Sequence, residues 1–451
     1  MTSTATRPTI ATPVSYRDPL PAAVDVVIIG GGVIGVFAAL YLARDGASVL
    51  LCEKGRIAGE QSSRNWGWIR QQGRDEGELP IMTQALALWR DVNAELKGAT
   101  GFAQVGVNYL SSTEADMASN EAWLKVAQTH GLDTRLLAKR EAEEMFSGAS
   151  DGRWIGGIQT PSDAKGEPWV AVPAVAKLAH AAGVLIREDC AVRTLETSAG
   201  ALTGVVTEDG AVACEQVVLA GGAWSSLFAR AHDIEIPQLS VKATVAATAP
   251  LPQFFGAAAA DEEFAIRRRA DGGYSLAICD GHGFSLGPDA FRRFRPWTYE
   301  LKRGWREIKP SFAAPGGFPD AWGVARRWTA DEETPFERTR VLEPAPDRGY
   351  VAKMERRFAD RFPKIGAPKI ETAWAGMIDA MPDIVPIIDN VHTLPGLIIA
   401  TGMSGHGFGI GPGFGRVIAR MARGRSAEHD LTRFRFDRFT DGSPLKPGPA
   451  L

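Results

Sequence analysis

Three consecutive glycines, Gly30 to Gly32, break an apolar run that would otherwise be long enough to cross a membrane. The run, "VDVVIIGGGVIGVFAALYL" from Val24 to Leu42, has 19 residues and one charge, Asp25. A membrane helix gains nothing from three glycines at its centre, since glycine surrenders the most backbone freedom on becoming helical. A buried strand, a tight turn and a buried helix use all three. "DVVIIG" is a short β-branched run, the pattern of a strand covered on both faces of a parallel sheet. "VIGVFAALYLARDG" then reads as a helix ending near Gly46.

In G-x-G-x-x-G terms the glycines are Gly30, Gly32 and Gly35. The first permits the turn, the second lets backbone approach a pyrophosphate, and the third lets helix and strand pack closely. A second strand, "SVLLCE", ends in Glu53, at the distance where an acidic residue accepts the hydroxyls of an adenosine ribose. Strand, glycines, helix, strand and terminal Glu in register point to a dinucleotide site. The alternative is a glycine-rich βαβ turn without a ligand. Glu rather than a basic residue disfavours a 2′-phosphate, so FAD or NAD fits better than NADP.

The 451 residues, 45% hydrophobic and 23% charged, supply enough apolar material for two to three domain-sized units. A net charge of -3 leaves no global basic field, which argues against nucleic acid as a partner. The basic runs Arg267 to Arg269 and Arg292 to Arg295 are short and read as solvated strand or loop ends. Cys52, Cys190, Cys214 and Cys279 form no C-x-x-C pair and show no metal-ligand spacing. They read as reduced core thiols of a cytoplasmic protein, and no metal site is expected. The N-terminal stretch has neither a basic start nor an apolar core, so residues 1–22 read as a flexible leader rather than a signal peptide.

Further along, "EQVVLAGGAWSSLFA" is another buried strand ending in a glycine pair. Before it, "GVVTEDGAVAC" suggests a hairpin turning at Asp209 and Gly210. "GLIIATGMSGHGFGIGPGFGRVIARMARG" gives a third strand, a glycine-rich turn and a helix. The segment from about 237 to 372 differs in kind. "FAIRRRADGGYSLAICDGHGFSLG" alternates like strands around a turn at Asp271 to Gly273, and "VAKMERRFADRFPKI" suggests a helix. Nothing repeats with a fixed period.

Together, "VVIIGGGVIG" with Glu53, the "SSRNWGW" turn, "VVLAGGAWS" and "GLIIATGMSGHGFGIGPG" resemble the FAD-dependent amino-acid oxidoreductases of the D-amino-acid oxidase and dehydrogenase (DadA-like) family. Glycine oxidase, sarcosine oxidase and gamma-glutamylputrescine oxidase are similar relatives. The resemblance implies an α/β fold with a discontinuous, Rossmann-like FAD-binding domain of the GR2 type. Residues 23–110, 165–235 and 373–435 would build it. An α+β substrate domain on an antiparallel sheet would come from 111–164 and 236–372, and 436–451 would be a C-terminal tail.

Carried over residue by residue, Gly30, Gly32, Val33, Ile34 and Gly35 would hold the FAD pyrophosphate, with Glu53 and Lys54 at the AMP ribose. Ser62, Ser63, Arg64 and Asn65 match the turn beside the flavin and pyrophosphate. Val192 matches a contact to adenine, and Ala220, Gly221 and Trp224 close over the nucleotide half. Gly402, Met403, Ser404, Gly405, His406 and Gly407 match the late turn, whose helix N-terminus points at the flavin pyrimidine edge. Read without the resemblance, those glycines also suit plain packing of helix on strand, and His406 also suits a structural role.

The substrate end departs from the family. Many members carry an Arg in a motif like W-A-G-x-R-P-x-T-P-D that clamps the substrate carboxylate, whereas this chain reads "WAGMIDAMPD" with Ile378 at the Arg position. Either the carboxylate is held from elsewhere or the substrate has none. Arg70 and Arg74 are the substitutes the family implies, and a guanidinium fork suits a bidentate carboxylate. Asp379 instead selects a cationic amine or serves as a turn residue. Trp66, Trp68, Trp374 and His406 complete the candidate substrate wall.

The expected activity is oxidation of the C–N bond of an amino acid, with hydride going to the flavin and no obligatory side-chain base. The imine would hydrolyse to a 2-oxo acid and ammonia. An amine or N-methyl amino-acid oxidase, a non-catalytic flavin or electron-transfer protein and an NAD-dependent dehydrogenase are the alternatives. Oxidase and dehydrogenase behaviour both stand, with O2 or a quinone or other electron carrier as acceptor. The strand "GGYSLAI" lacks the lysine that sarcosine-type oxidases place near the flavin, and Lys242 is a remote alternative.

Overall fold

The structure, a computed structural model, describes residues 6–146, 149–150, 152–304 and 308–448. The apolar run that opens the chain is divided as its glycines require, into strand Val26–Ile29, a turn and helix Val33–Arg44. Gly30 takes φ +113°, and a Cβ there would stand 2.5 Å from Ala220 O. A Cβ on Gly35 would stand 2.1 Å from Gly30 O. Close approach of backbone to backbone therefore needs glycine at both positions. Among the described residues no helix is long and apolar enough to cross a membrane.

Six strands form the first sheet in the order Ile387–Asn390, Leu397–Thr401, Gln216–Leu219, Val26–Ile29, Val49–Cys52 and Leu185–Arg187. All neighbours are parallel except the first pair. Such strands are covered on both faces, which accounts for their unbroken apolar character. A ten-stranded sheet, antiparallel apart from two neighbouring pairs, forms the second layer.

Its strands reach beyond the expected divisions of the chain. Val107–Ser111 pairs with Gly156–Thr160, and Ile370–Ala380 pairs along Leu239–Thr248 from Leu239↔Ala380 to Thr248↔Ile370. Residues 107–110 and 373–380 thus belong to the large sheet, because main-chain pairing continues past the point where the "WAG" motif suggests a return. The hairpin between Ala201–Thr207 and Gly210–Ala213 also turns one residue earlier than expected, with Thr207 opposite Gly210.

Two further expectations need correction. The leader, expected to be flexible, is docked from residue 6 on; residues 1–5 and 449–451 lie outside the described residues. Arg17 bridges to Arg187, and Ile186 N donates to Asp18 Oδ2 at 2.7 Å. The run Arg267 to Arg269 is not solvated. Arg267 and Arg269 are buried, Arg267 forks onto both oxygens of Glu167 at 2.8 and 3.2 Å, and Arg268 and Arg269 lie over the rings of Tyr274 and Trp169. Aromatic faces and a paired carboxylate replace the water that composition alone would assign to them.

Helix Gly407–Ala422 explains the alternating glycines of "GHGFGIGPGFG". Gly411 and Gly415 lie against Val33 and Phe37 of the first helix, while Gly409 and Gly413 lie against Ile69 and Ile81. A Cβ at Gly415 would meet Phe37 Cβ at 2.5 Å and Ala38 N at 2.9 Å, neither of which can swing away. Gly415→Ala is expected to lower the unfolding free energy by about 2 kcal/mol in denaturant melts. Gly323→Ala, whose Cβ would meet nothing within 4 Å, should stay within about 0.5 kcal/mol of the parent. Equal effects at the two positions would refute the packing account.

Candidate active site

A cavity of about 640 Å³ lies where the parallel strands end. Ile29, Glu53, Ala220 and Ala400 line it from the C-terminal edge of the first sheet, the edge where open α/β sheets bind ligands. Val245, Ile278, His282, Met377 and Ile378 line it from the large sheet. Two helices begin at its wall, one behind Gly32 and one behind His406, and neither N-cap supplies a side-chain acceptor. First-turn N–H groups and the positive ends of two helix dipoles therefore face one space.

At the first end, Glu53 Oε2 accepts from Gly31 N and Oε1 from Gly55 N, both at 2.7 Å. Burial pushes its pKa up to about 7 against the pull of Lys54 and these amides. Ser62 Oγ accepts from Val33 N at 2.8 Å and so fixes the turn to the first helix. Lys54 Nζ donates to Glu60 Oε1 at 2.7 Å, to Thr339 O and to Arg340 O, and lies 4.3 Å above the Trp224 ring. Glu60 also accepts from Trp224 Nε1 at 3.1 Å and from Leu342 N at 3.0 Å. Arg64 donates to the carbonyls of Gly59, Leu342 and Ala375, and burial lowers its pKa to about 10. Asn65, Val192 and Gly221 share this wall with Gly30 and Ile34.

At the second end the turn Gly402 to His406 is held from below by Asp379. Its Oδ2 accepts from Gly402 N at 2.9 Å and its backbone oxygen from Ser404 N at 3.1 Å. The Gln61 amide nitrogen donates to Asp379 Oδ1 at 3.0 Å. Ser404 Oγ accepts from Met381 N and donates to Gly402 O, each at 3.1 Å. Met403, Ser404, Gly405, His406 and Gly407 all line the cavity. Burial, with Arg70 and Arg74 nearby, holds the His406 pKa well below its ordinary value, and its buried Nδ1 has no hydrogen-bond partner among the described residues.

Four of the expected residues do not line the cavity. Gly35 packs on Gly30, Ser63 is enclosed with its Oγ donating to Glu60 O at 3.3 Å, and Gly402 is wedged against Met381. Trp374, expected in the substrate wall, donates its Nε1 to Arg64 O at 3.0 Å and packs with Val245 and Ala247.

Two further substrate candidates reach the cavity but are engaged elsewhere. Arg74 donates to Arg70 O at 2.7 Å, Glu78 Oε2 at 3.2 Å and His406 O at 2.8 Å, so its fork is filled. Asp379 is the turn residue, not a free anion. Lys242 Nζ donates to Ala345 O at 3.2 Å and does not line the cavity.

Trp68 and Arg70 do stand in the cavity wall, with Trp66 edge-on to Trp68 at 5.4 Å between ring centroids. Arg70 Nη1 donates to Gln72 O, and the guanidinium lies 5.9 Å from the Tyr109 ring centroid. No carboxylate of the described residues forms an ion pair with it. The sequence reading missed Tyr109, Gln61 and Glu60. Of the partners of Glu60 only Lys54 is near in the chain; Trp224 and Leu342 lie 164 and 282 residues away.

Burial raises the Asp379 pKa from 3.8 to about 6. A raised carboxyl pKa favours the fold below the unfolded value and loses that contribution as pH climbs through the folded one. Asp379→Asn keeps an oxygen for Gly402 N without the charge. Between pH 4 and pH 7, its unfolding free energy relative to the parent should move in the variant's favour by up to about 3 kcal/mol. A difference independent of pH in denaturant melts would contradict this.

Residues 25–421 match the family described as DAO, FAD dependent oxidoreductase. The D-amino acid dehydrogenase of Paramagnetospirillum magneticum is 25% identical, over 92% of this chain and 99% of its own. Mitochondrial sarcosine dehydrogenase of Mus musculus is 22% identical over 95% of this chain. The chain spans less than half the length of the first curated relatives it matches, 27% and 42%. The solved structure of L-amino acid deaminase from Proteus myxofaciens in complex with anthranilate superposes with a TM-score of 0.90 at 29% identity. That match covers 96% of this chain and 97% of the deaminase.

Proposed function

The chain belongs to the FAD-dependent oxidoreductase family, and on that premise we propose that it oxidises the C–N bond of an amino acid whose carboxylate is received by Arg70. The cavity fits FAD. Its two helix starts suit an anionic pyrophosphate at Gly30 to Gly35 and an electron-rich ring edge at Met403 to Gly407. Glu53 would face the ribose, and the unpartnered His406 Nδ1 leaves a polar atom for the ring system. When bound, FAD supplies the redox chemistry, accepting a hydride from the substrate α-carbon at N5.

The observation that carries the reading is Arg70 itself. It shares the cavity wall with the Met403 to Gly407 turn and has no carboxylate partner among the described residues, whereas protein groups take both terminal nitrogens of the neighbouring Arg64 and Arg74. A guanidinium in a partly desolvated pocket favours a bidentate anion. Burial holds His282 at about 4, and His406 is held low as well, so neither is a cation at pH 7 that competes for the carboxylate. Trp66, Trp68 and Tyr109 line the wall beside the fork and would exclude water from a substrate held there. The imine product then hydrolyses to a 2-oxo acid and ammonia. Sarcosine dehydrogenase among the relatives supports a second reading, an N-methyl amino acid held by the same fork, with formaldehyde released instead of ammonia. The electron acceptor is O2 or a quinone or other carrier.

The test is anaerobic bleaching of the flavin by D- and L-amino acids, N-methyl amino acids and decarboxylated amines. Arg70→Ala is expected to weaken apparent affinity for carboxylate substrates about 100-fold and to leave amines without a carboxylate unaffected. Unchanged affinity for the carboxylate substrates would remove Arg70 from the role.

A further inference from the structure

We propose that Asp163 is a positioning residue that sets the direction of the Arg70 guanidinium by pinning the two peptide groups after it, a role that rests on Arg70 being the carboxylate clamp. Strand Trp68–Ile69 pairs antiparallel with Ala164–Lys165, Ile69 opposite Ala164, which brings Asp163 beside the chain just as it leaves Arg70. Asp163 Oδ1 accepts from Gln71 N at 2.7 Å and Oδ2 from Gln72 N at 3.2 Å. One carboxylate thus holds two successive amides, and the carbonyl of the next peptide, Gln72 O, is the acceptor that draws in Arg70 Nη1.

Asp163 is itself immobile. Its backbone accepts from Val105 N and Gly106 N and donates to Thr160 O. The side chains of the same loop are tied down in turn: Thr160 Oγ1 donates to Gln72 Oε1 at 3.0 Å, and Thr83 Oγ1 to Gln71 Oε1 at 2.9 Å. Asp163 is fully buried and does not line the cavity, so it acts on substrate only through Arg70. Burial pushes its carboxyl up to about 7. Keeping a carboxylate there is costly, and the two backbone amides, with the Gln71 side-chain amide at 3.4 Å and the nearby Arg70 charge, offset part of the cost.

Charge and positioning make opposite forecasts. The negative charge of Asp163 opposes an incoming carboxylate, so electrostatics alone would have Asp163→Asn bind anions more tightly. An Asn offers one oxygen and an NH2, and the NH2 faces an N–H of the loop, so positioning forecasts weaker binding. The experiment measures calorimetric binding of anthranilate, an aromatic carboxylate, to the holoenzyme, together with kcat and KM on a carboxylate substrate.

For Asp163→Asn, Kd and KM should rise about 10-fold while kcat stays within about twofold. Added to Arg70→Ala, Asp163→Asn should change Kd by less than about twofold, because both act through one group. An unchanged or lower Kd in Asp163→Asn, with Arg70→Ala impaired, overturns this proposal alone; an unimpaired Arg70→Ala overturns the clamp as well. If Asp163→Asn does not retain flavin or a parental melting curve, Thr83→Val takes its place. A rise in Kd of about threefold is then expected, and no change overturns the positioning role.

Discussion

Two helices that touch backbone to backbone hold the site together. Helix Val33–Arg44 sits on its own strand through Gly35, and helix Gly407–Ala422 sits on it through Gly411 and Gly415. With side chains at those positions the helices would stand apart, and their N-termini would open onto different spaces. In contact, both starts converge at the end of the parallel strands, and their dipoles add within a single cavity. The glycines around and past His406 therefore divide their work: Gly405 and Gly407 wall the cavity, Gly411 and Gly415 bring the two helices together, and Gly409 and Gly413 let the second helix sit on Ile69 and Ile81.

Around that contact the charged groups are mostly ties between distant segments. Lys54 and Glu60 draw together Trp224 and the chain at 339–342, Arg64 spans Gly59 to Ala375, and Asp379 secures the late turn. Arg64 and Asp379 are buried and Lys54 and Glu60 largely so, and protein groups take up most of their hydrogen-bonding capacity. Arg70 differs from Arg64 and Arg74 in being only partly buried and in donating to a single carbonyl. That difference, rather than its charge, is what singles out Arg70 as the arginine proposed to meet the substrate.

The features legible in the sequence were those set by neighbours in the chain. The glycine turn, the acidic end of the second strand, the strand–turn–strand of Phe264 to Ile278 and the helix Arg348–Arg361 each announce themselves through local spacing. Misreadings arose where partners are remote. Arg267 looked solvated because its carboxylate, Glu167, lies 100 residues away. Trp374 looked like a substrate wall because its motif is near the site in sequence, yet its indole is taken up by Arg64 O and by packing on Val245 and Ala247. Arg74 and Arg70 were indistinguishable as letters.

Spacing and residue type alone point to the nucleotide-binding turn, because backbone sterics and hydrogen-bond periodicity act over a few residues; the resemblance of the motifs adds the family and the arginine whose place Ile378 takes. Which arginine replaces it is a tertiary matter. Glu78 and the His406 carbonyl fill Arg74, and Asp163 braces the loop beyond Arg70. Whether a buried charge is satisfied depends on groups that only folding brings within hydrogen-bond reach, and no local pattern encodes that distance.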